Sequence, residues 1–305
     1  MMPSTSDLAI IVCTRDRPEM LRLSLQAIAA ATPGEAEIVV VDSASSTSAT
    51  REVAAEFDTT YVRADIKGLS IARNLGLKST QRPFVIFTDD DCLAADGWAQ
   101  RAVEHFADGT VGAVTGQMLD HTLLVSDVQS SRKKRFHRAE DGLDAGHGAV
   151  MAFRRELVLR LGGFDDVLGA GRELAGAEDL DIFCRILWAG SEIVYDEKCL
   201  VRHANTRVGD AYTELYRGYG LGLGALANKW LRLSPTIGLP VLGALLKRRI
   251  VDMVQEGFRA GPERAMFRGM AQGFVVAARM PLRGERFVER PALAAAVPDD
   301  AAVST

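Results

Sequence analysis

The chain has no CxxC pair, and its four cysteines, Cys13, Cys92, Cys184 and Cys199, are widely scattered. That spacing excludes a cysteine-rich zinc site and a disulfide framework. Cys13 and Cys184 lie inside apolar runs, so buried, reduced thiols in a cytoplasmic protein are expected. No run of 18 or more apolar residues occurs, whereas a membrane-spanning helix needs about 20. The apolar run 8–13 is too short for a signal peptide and follows Asp7 rather than a basic region. No GxxxxGK[ST] is present, which argues against a P-loop NTPase, and no GxSxG, which argues against a serine-hydrolase elbow. Repeats of solenoid period are missing as well. Net charge is only −4, so nothing suggests a nucleic-acid partner.

What is present is ordinary for a globular protein: 305 residues, 48% hydrophobic and 25% charged. The charge is uneven. Residues 206–290 hold 14 Lys and Arg against 7 Asp and Glu, while residues 1–205 hold 22 against 31. A basic surface on the C-terminal part is the expectation, and with its apolar segments it predicts weak contact with anionic membrane. A helical cap with a solvated basic face explains the same numbers.

The first half alternates between short buried-strand runs and helical spacing. Strands are predicted at 8–13, 38–41, 84–87 and 111–114. A helix after Pro18 carries Leu21, Leu25 and Ile28 on one face, and a short helix capped by Ser70 turns Ile71 and Leu75 inward. A further helical pattern runs from Asp96 to Phe106. Repeated βα units predict an α/β fold: a mostly parallel sheet with flanking helices and a ligand site beyond the strands' carboxyl ends. In the second half, 130–148 reads as a mobile basic loop, with 132–138 a candidate gate. Residues 148–153 and 193–195 read as strands, 169–176 as a flexible glycine-rich segment, and 178–188 as a helix ended by Gly190. A helix-favouring extension follows over 206–290, then a disordered tail, 291–305. The alternating glycines 218–224 imitate a dinucleotide fingerprint in the wrong context, a helix far from the first strand.

Two acidic clusters carry the chemistry. Asp89-Asp90-Asp91 ends a buried strand, where adjacent carboxylates repel one another and call for a cation. Hard oxygen ligands favour Mg2+ or Mn2+, held by one or two carboxylates and substrate phosphates. Extended backbone would turn Asp89 and Asp91 the same way, with Asp90 opposite. A solvated acidic turn before the next helix is the competing reading. Glu178-Asp179-Leu180-Asp181 opens a helix, where carboxylates suit the dipole, and Asp179 is placed to act as a general base. His203 follows an apolar segment and counts as a ligand only if that strand returns to the metal. Asp42, at a strand end, suits a nucleobase or ribose. Arg73 is a candidate phosphate or base contact, with a bare helix-surface arginine as the alternative.

In order along the chain come Val12–Pro18 (VCTRDRP), Ile38–Ser45 (IVVVDSAS), Gly68–Asn74 (GLSIARN), Phe87–Asp91 (FTDDD), Gly162–Asp165 (GGFD), Ala177–Asp181 (AEDLD), Arg185, Gly190, Tyr195 and His203. This set resembles family-2 inverting glycosyltransferases with the A-type nucleotide-sugar fold, over about residues 7–205. The resemblance implies a catalytic domain over 1–205. It implies that Thr14, Arg15 and Asp42 hold the nucleoside, that Arg73 contacts the nucleotide, and that Asp89 and Asp90 belong to the donor site. Asp91 is the implied direct ligand of Mg2+ or Mn2+, with Asp89 and His203 as further contacts. Asp179 would be the catalytic base, with Glu178 beside it in the acceptor site. The implied reaction is sugar transfer from a nucleoside diphosphate sugar to a saccharide, lipid-linked or small-molecule acceptor, in cell-envelope polysaccharide or glycoconjugate synthesis. One departure stands out: many relatives have Asn in the strand before Arg154-Arg155, and this chain has Val150. Two other readings compete: a sugar nucleotidyltransferase, and a non-catalytic nucleotide-sugar-binding protein.

Overall fold

The computed structural model describes residues 2–32, 34, 36–120, 132–204, 209–255 and 261–289. The expected tail over 291–305 and the start of the expected loop at 130–131 lie outside the described residues. The elements in chain order are β1 (Leu8–Thr14), α1 (Pro18–Ala31), β2 (Glu37–Ser43), α2 (Ala49–Ala54), β3 (Thr60–Ala64), α3 (Leu69–Lys78), β4 (Phe84–Asp89), β5 (Cys92–Ala94) and α4 (Trp98–Glu104). There follow β6 (Val111–Asp120), β7 (Lys133–Phe136), β8 (Val150–Arg154), α5 (Arg155–Arg160), α6 (Glu178–Trp188), β9 (Glu192–His203), α7 (Asp210–Leu233), α8 (Pro235–Gln255) and α9 (Gly261–Ala278). A small hairpin, β10 (Leu282–Arg283) with β11 (Arg286–Phe287), comes last.

One sheet runs in the order β3-β2-β1-β4-β8-β6-β9-β5, with β7 also on β9. The pairs β3–β2, β2–β1, β1–β4 and β6–β9 are parallel; β8, β5 and β7 pair antiparallel. This is the expected mixed, mostly parallel α/β sheet with flanking helices, followed by a helical C-terminal region. β1 is buried at all seven positions, as a central strand covered on both faces must be. Its side chains alternate between two cores. Ile10 and Val12 pack with Leu21, Leu25 and Ile28 of α1 and Trp98 of α4. Ile11 and Ala9 pack with Ala72 and Leu77 of α3 and Phe183 and Ile186 of α6. The register sets Thr14 beside Asp42, and Cys13 beside Asp89. The polar strand ends therefore collect along one edge of the sheet.

Several local expectations change. Described residues 132–148 are no loose loop: β7 pairs with β9, and 139–144 form a 3-10 turn. The basic residues found partners, Lys133 on Asp196 at 2.8 Å and Arg135 on Glu192 at 2.6 Å. The glycine-rich stretch 169–176 is packed, with Leu168 and Leu174 fully buried and the Leu168 carbonyl accepting from Ser70 Oγ at 2.8 Å. Ser70 is thus inside α3, whose cap is Gly68; the buried face is Ala72, Arg73, Gly76 and Leu77, with Ile71 and Leu75 only half-buried. Strand β3 carried too few buried residues to be read in advance.

The alternating glycines lie in α7, as expected of a helix, and serve close packing. A Cβ at Gly220 or Gly224 would strike the main chain of Met266 or Met270 in α9, and one at Gly269 or Gly273 the main chain of α7. Among the described residues, no helix is long and apolar enough to cross a membrane.

Candidate active site

The site is built on the carboxyl ends of β1, β2 and β4, with α3, α6 and the end of β9 closing over them. Among the described residues, three non-glycine residues hold positive φ: Asp16 after β1, Ala44 after β2 and Ala177 before α6. Such backbone is rare and tends to gather at functional sites.

The acidic run does not continue as extended chain. β4 ends at Asp89, and Asp90-Asp91 form a turn into β5. The expected pairing of Asp89 with Asp91 is therefore replaced. Asp90 and Asp91 share Arg17, whose Nη1 donates to Asp90 Oδ1 and Asp91 Oδ2 at 2.9 Å each. Thr14 Oγ1 donates to Asp90 Oδ2 at 2.7 Å. Asp89 instead lies 3.7 Å from Arg73. Burial pushes the Asp90 carboxyl up to about 6 against the pull of Arg17 and Thr14, and pushes Asp89 upward against Arg73. Burial would raise Asp91 too, but His203 and Arg17 hold it below the usual carboxylate range.

His203 does return to the acidic turn. β9 crosses the sheet beside β6 and slips register between Asp196 and Leu200, opposite Gly116. A Cβ at Gly116 would collide with the main chain of Cys199, so the irregularity needs glycine there. Beyond the slip His203 faces Cys92, and its Nε2 lies 3.3 Å from Asp91 Oδ1. Potential ligand atoms of Asp91, Cys92 and His203 lie within 4.8 Å of one another. Burial drives the Cys92 thiol far above its ordinary range, so it stays protonated and makes a poor ligand. Carboxylate oxygen plus imidazole remain, a set that fits a hard divalent cation completed by phosphate oxygens.

Arg73 is not a surface residue. Only 2% exposed, its Nη1 donates to Glu178 Oε1 at 2.8 Å and its Nη2 to the Gly148 carbonyl at 3.4 Å. It also stacks over Phe164 at 5.5 Å. One guanidinium therefore joins the strand-end acids to the start of α6. Asp179 follows Glu178 there and accepts from the Leu180 N–H at 2.8 Å. Burial and the neighbouring Glu178 charge push its carboxyl up to about 6, with Arg73 opposing. Five carboxylates, Asp89, Asp90, Asp91, Glu178 and Asp179, thus face the guanidiniums of Arg17 and Arg73, a negative surplus suited to a bound cation.

Asp42 is fully buried and held by Tyr61 Oη at 2.7 Å, Arg63 Nη1 at 2.9 Å and the Ser45 N–H at 2.7 Å. Arg15 stays partly exposed beside Asp16, 3.4 Å away. Asp16 in turn holds the Ser46 N–H at 2.6 Å and ties the β1 and β2 loops together.

A family model described as glycosyl transferase family 2 matches residues 9–161. The chain belongs to glycosyl transferase family 2. A relative of this family-2 chain is the pre-mycofactocin glycosyltransferase of Mycobacterium tuberculosis, 26% identical over 219 residues, covering 66% of this chain and 43% of that protein. This chain thus spans under half the length of that relative. The succinoglycan biosynthesis protein ExoM of Rhizobium meliloti is 28% identical over 214 residues, covering 66% of this chain and 68% of that one. Among solved structures, the mannosyltransferase PcManGT of Pyrobaculum calidifontis, in complex with GDP-Man and Mn2+, superposes with a TM-score of 0.59. At 23% identity, over 90% of this chain and 87% of that one, that likeness speaks for the fold alone.

Two site residues of the family-2 chain went unassigned from sequence. Arg17 is visible in the sequence only as part of a motif, and no local signal aims it at the acidic turn, because the parallel register that sets Cys13 beside Asp89 exists only in the fold. His147, in the loop before β8, is pushed down to about 4 by burial and by His203. Its Nδ1 is buried without a hydrogen-bond partner among the described residues. Val150 is buried in β8 opposite Thr88, where it packs rather than presents a polar group.

Proposed function

We propose that this chain transfers a glycosyl group from a nucleoside diphosphate sugar to an acceptor hydroxyl with inversion, using Asp179 as general base and Asp91 with His203 for Mg2+ or Mn2+. The observation that carries this reading is Arg73, which bridges Glu178 at 2.8 Å and approaches Asp89 at 3.7 Å. It ties the first turn of α6, which carries Asp179, to the strand-end acids, and that link supports one shared site. When bound, the metal supplies positive charge to the departing diphosphate. In this reading Thr14, Arg15 and Asp42 hold the nucleoside, and Asp89 and Asp90 contact the nucleotide sugar. Asp179, poised near neutral pH, takes the proton of the acceptor hydroxyl while that oxygen attacks the anomeric carbon. Residues 1–205 are the catalytic domain in this reading, and 206–290 a helical region joined to it.

The Mn2+ in the PcManGT complex and the name of ExoM, a succinoglycan biosynthesis protein, support the metal and a role in envelope polysaccharide or glycoconjugate synthesis. A thermal-shift panel of nucleotide sugars with and without Mn2+ tests the reading, because a true donor stabilises the fold by mass action. The acceptor product is then examined for free nucleoside diphosphate and an inverted anomer. No stabilisation by any donor, or release of pyrophosphate instead, sinks it.

The C-terminal helices support weak contact with anionic membrane. Leu239, Ile250 and Val254, exposed at 63%, 57% and 63%, share one face of α8 with Lys247. Arg248 and Arg249 are turned away, onto Asp144 and onto Asp252 with Glu263. Exposed Arg264, Phe267, Arg268 and Val275 follow a helical stripe on α9. Flotation with phosphatidylglycerol vesicles is expected to carry part of the protein at low salt; none floating removes this contact.

A further inference from the structure

We propose that Lys229 of α7 is a positioning residue for Asp179, acting through a buried ionic cluster that ties the C-terminal helices to the first turn of α6. The proposal rests on the reading of Asp179 as the base.

Lys229 is fully buried, and its Nζ lies 2.8 Å from Asp165 Oδ2 and 2.6 Å from Asp181 Oδ1. Both carboxylates are themselves fully buried. Asp181 sits two residues after Asp179, and its Oδ2 accepts from Arg185 Nε at 2.9 Å. Arg185 also donates to the Leu161 and Gly163 carbonyls, at 3.0 and 2.8 Å. Asp165 further accepts from the Phe287 N–H at 2.8 Å and the Val167 N–H at 3.2 Å. Two acids and two cations therefore sit together out of water, with the half-buried Glu285 acting on Asp181, Arg185 and Lys229 from beside them. Lys229 is the member from the C-terminal helices, so without it Asp165 and Asp181 face each other with less than their balancing charge.

A second contact brings the same helix to the same segment. A Cβ at Gly222 would collide with the main chain of Gly176, two residues before Glu178. Between them stands Ala177, held at φ +61°. α7 thus touches Gly176 with Gly222 and Asp181 with Lys229, and Asp179 lies inside the six-residue span. The Asp179 carboxylate accepts from the adjacent Leu180 N–H, so its aim follows the main chain beneath it. A misplacement of about 1 Å at such a group costs on the order of a hundredfold in rate.

The cluster is also well suited to plain stability, since breaking a buried ion pair leaves a charge uncompensated. Two variants separate the roles: Lys229→Met, and Lys229→Met with Asp165→Asn, which leaves Asp181 and Arg185 as a balanced pair. Each is assayed well below its own Tm for kcat, for KM of donor and acceptor, for the ratio of acceptor transfer to donor hydrolysis, and for the Kd of UDP and GDP with Mn2+. The expected result is nucleotide affinity within about twofold of wild type, kcat lower by about tenfold or more, KM little changed, and a larger share of hydrolysis. Wild-type kcat in the folded double variant overturns the proposal. So does loss of nucleotide binding in step with kcat, or failure of both variants to fold, which would make Lys229 a folding element only. Asp179→Asn in the same assay keeps the two claims apart. If it transfers at the wild-type rate, the base assignment falls; if it is inactive while the Lys229 variants match wild type, only the positioning role falls.

Discussion

Arg73 Nη1 donates to Glu178 Oε1 at 2.8 Å, and both side chains are more than nine-tenths buried. The pair spans 105 residues of sequence and joins α3 to α6. Burial works against the arginine's charge, yet Glu178, Asp89 and Asp179 together hold its pKa above the ordinary value. A buried charge stripped of its partner is strongly destabilising. Arg73→Met is expected to cost about 3–5 kcal/mol, read from urea unfolding, because it leaves Glu178 uncompensated. Arg73→Met combined with Glu178→Gln should recover a large part of that loss. A double variant no more stable than the single one would show that the pairing is not what Arg73 contributes.

Asp179→Asn should lower kcat by about a hundredfold or more, the usual share of a general base, with nucleotide binding retained. In the wild type, kcat should fall as pH drops through about 6, since the proposed base must be ionised and burial beside Glu178 raises its carboxyl to that value. The stability effect has the opposite sign. A folded-state pKa above the unfolded value means that the native state binds more protons between about pH 4 and 6, so stability declines as pH rises through that window. At pH 7.5 the ionised carboxylate is a burden, and Asp179→Asn should raise Tm by on the order of 3 °C. A variant both inactive and less stable would contradict this account of the raised pKa.

What the sequence disclosed and what it concealed divide along one physical line. β1, β2, β4 and α6 were legible because apolar periodicity and capping are local, and the strand-end acids Asp42 and Asp89 came with them. The turn at Asp90-Asp91 was not, because a parallel register and Arg17 bend the acids toward a shared cation. The burial of Arg73 and Lys229 was not legible, since nothing local announces that a charged residue is buried. Their partners lie about a hundred and about fifty to sixty-five residues away, so the burial follows from tertiary pairing. β7 was concealed for a similar reason: its basic residues satisfy acids on β9 that only the fold brings alongside.

The proposed metal site makes a prediction that separates three neighbouring residues. Asp91→Asn and His203→Ala should each raise the Mn2+ concentration needed for half-maximal thermal shift by about tenfold or more, as loss of a direct ligand does at minimum. Cys92→Ser should leave that midpoint close to wild type, because the buried thiol stays protonated. Equal losses in all three would mean that the cation takes sulfur, and would point to a softer metal than Mn2+.

The packing of α7 makes the last prediction, which pairs two glycines in helices. Gly222 meets the Gly176 main chain, so Gly222→Ala should cost about 1–3 kcal/mol as the helix is forced off its neighbour. Gly243, on the exposed face of α8, has nothing within 4 Å of the position a Cβ would take. There alanine adds no clash and removes the excess freedom of glycine in the unfolded chain, so Gly243→Ala should stabilise by about 0.5–1 kcal/mol. Urea melts of both variants check the pair. Because Gly222 borders the segment leading to Asp179, Gly222→Ala should also lower kcat more than donor KM. A variant that loses stability but keeps wild-type kcat would limit the contact of α7 with Gly176 to holding the fold.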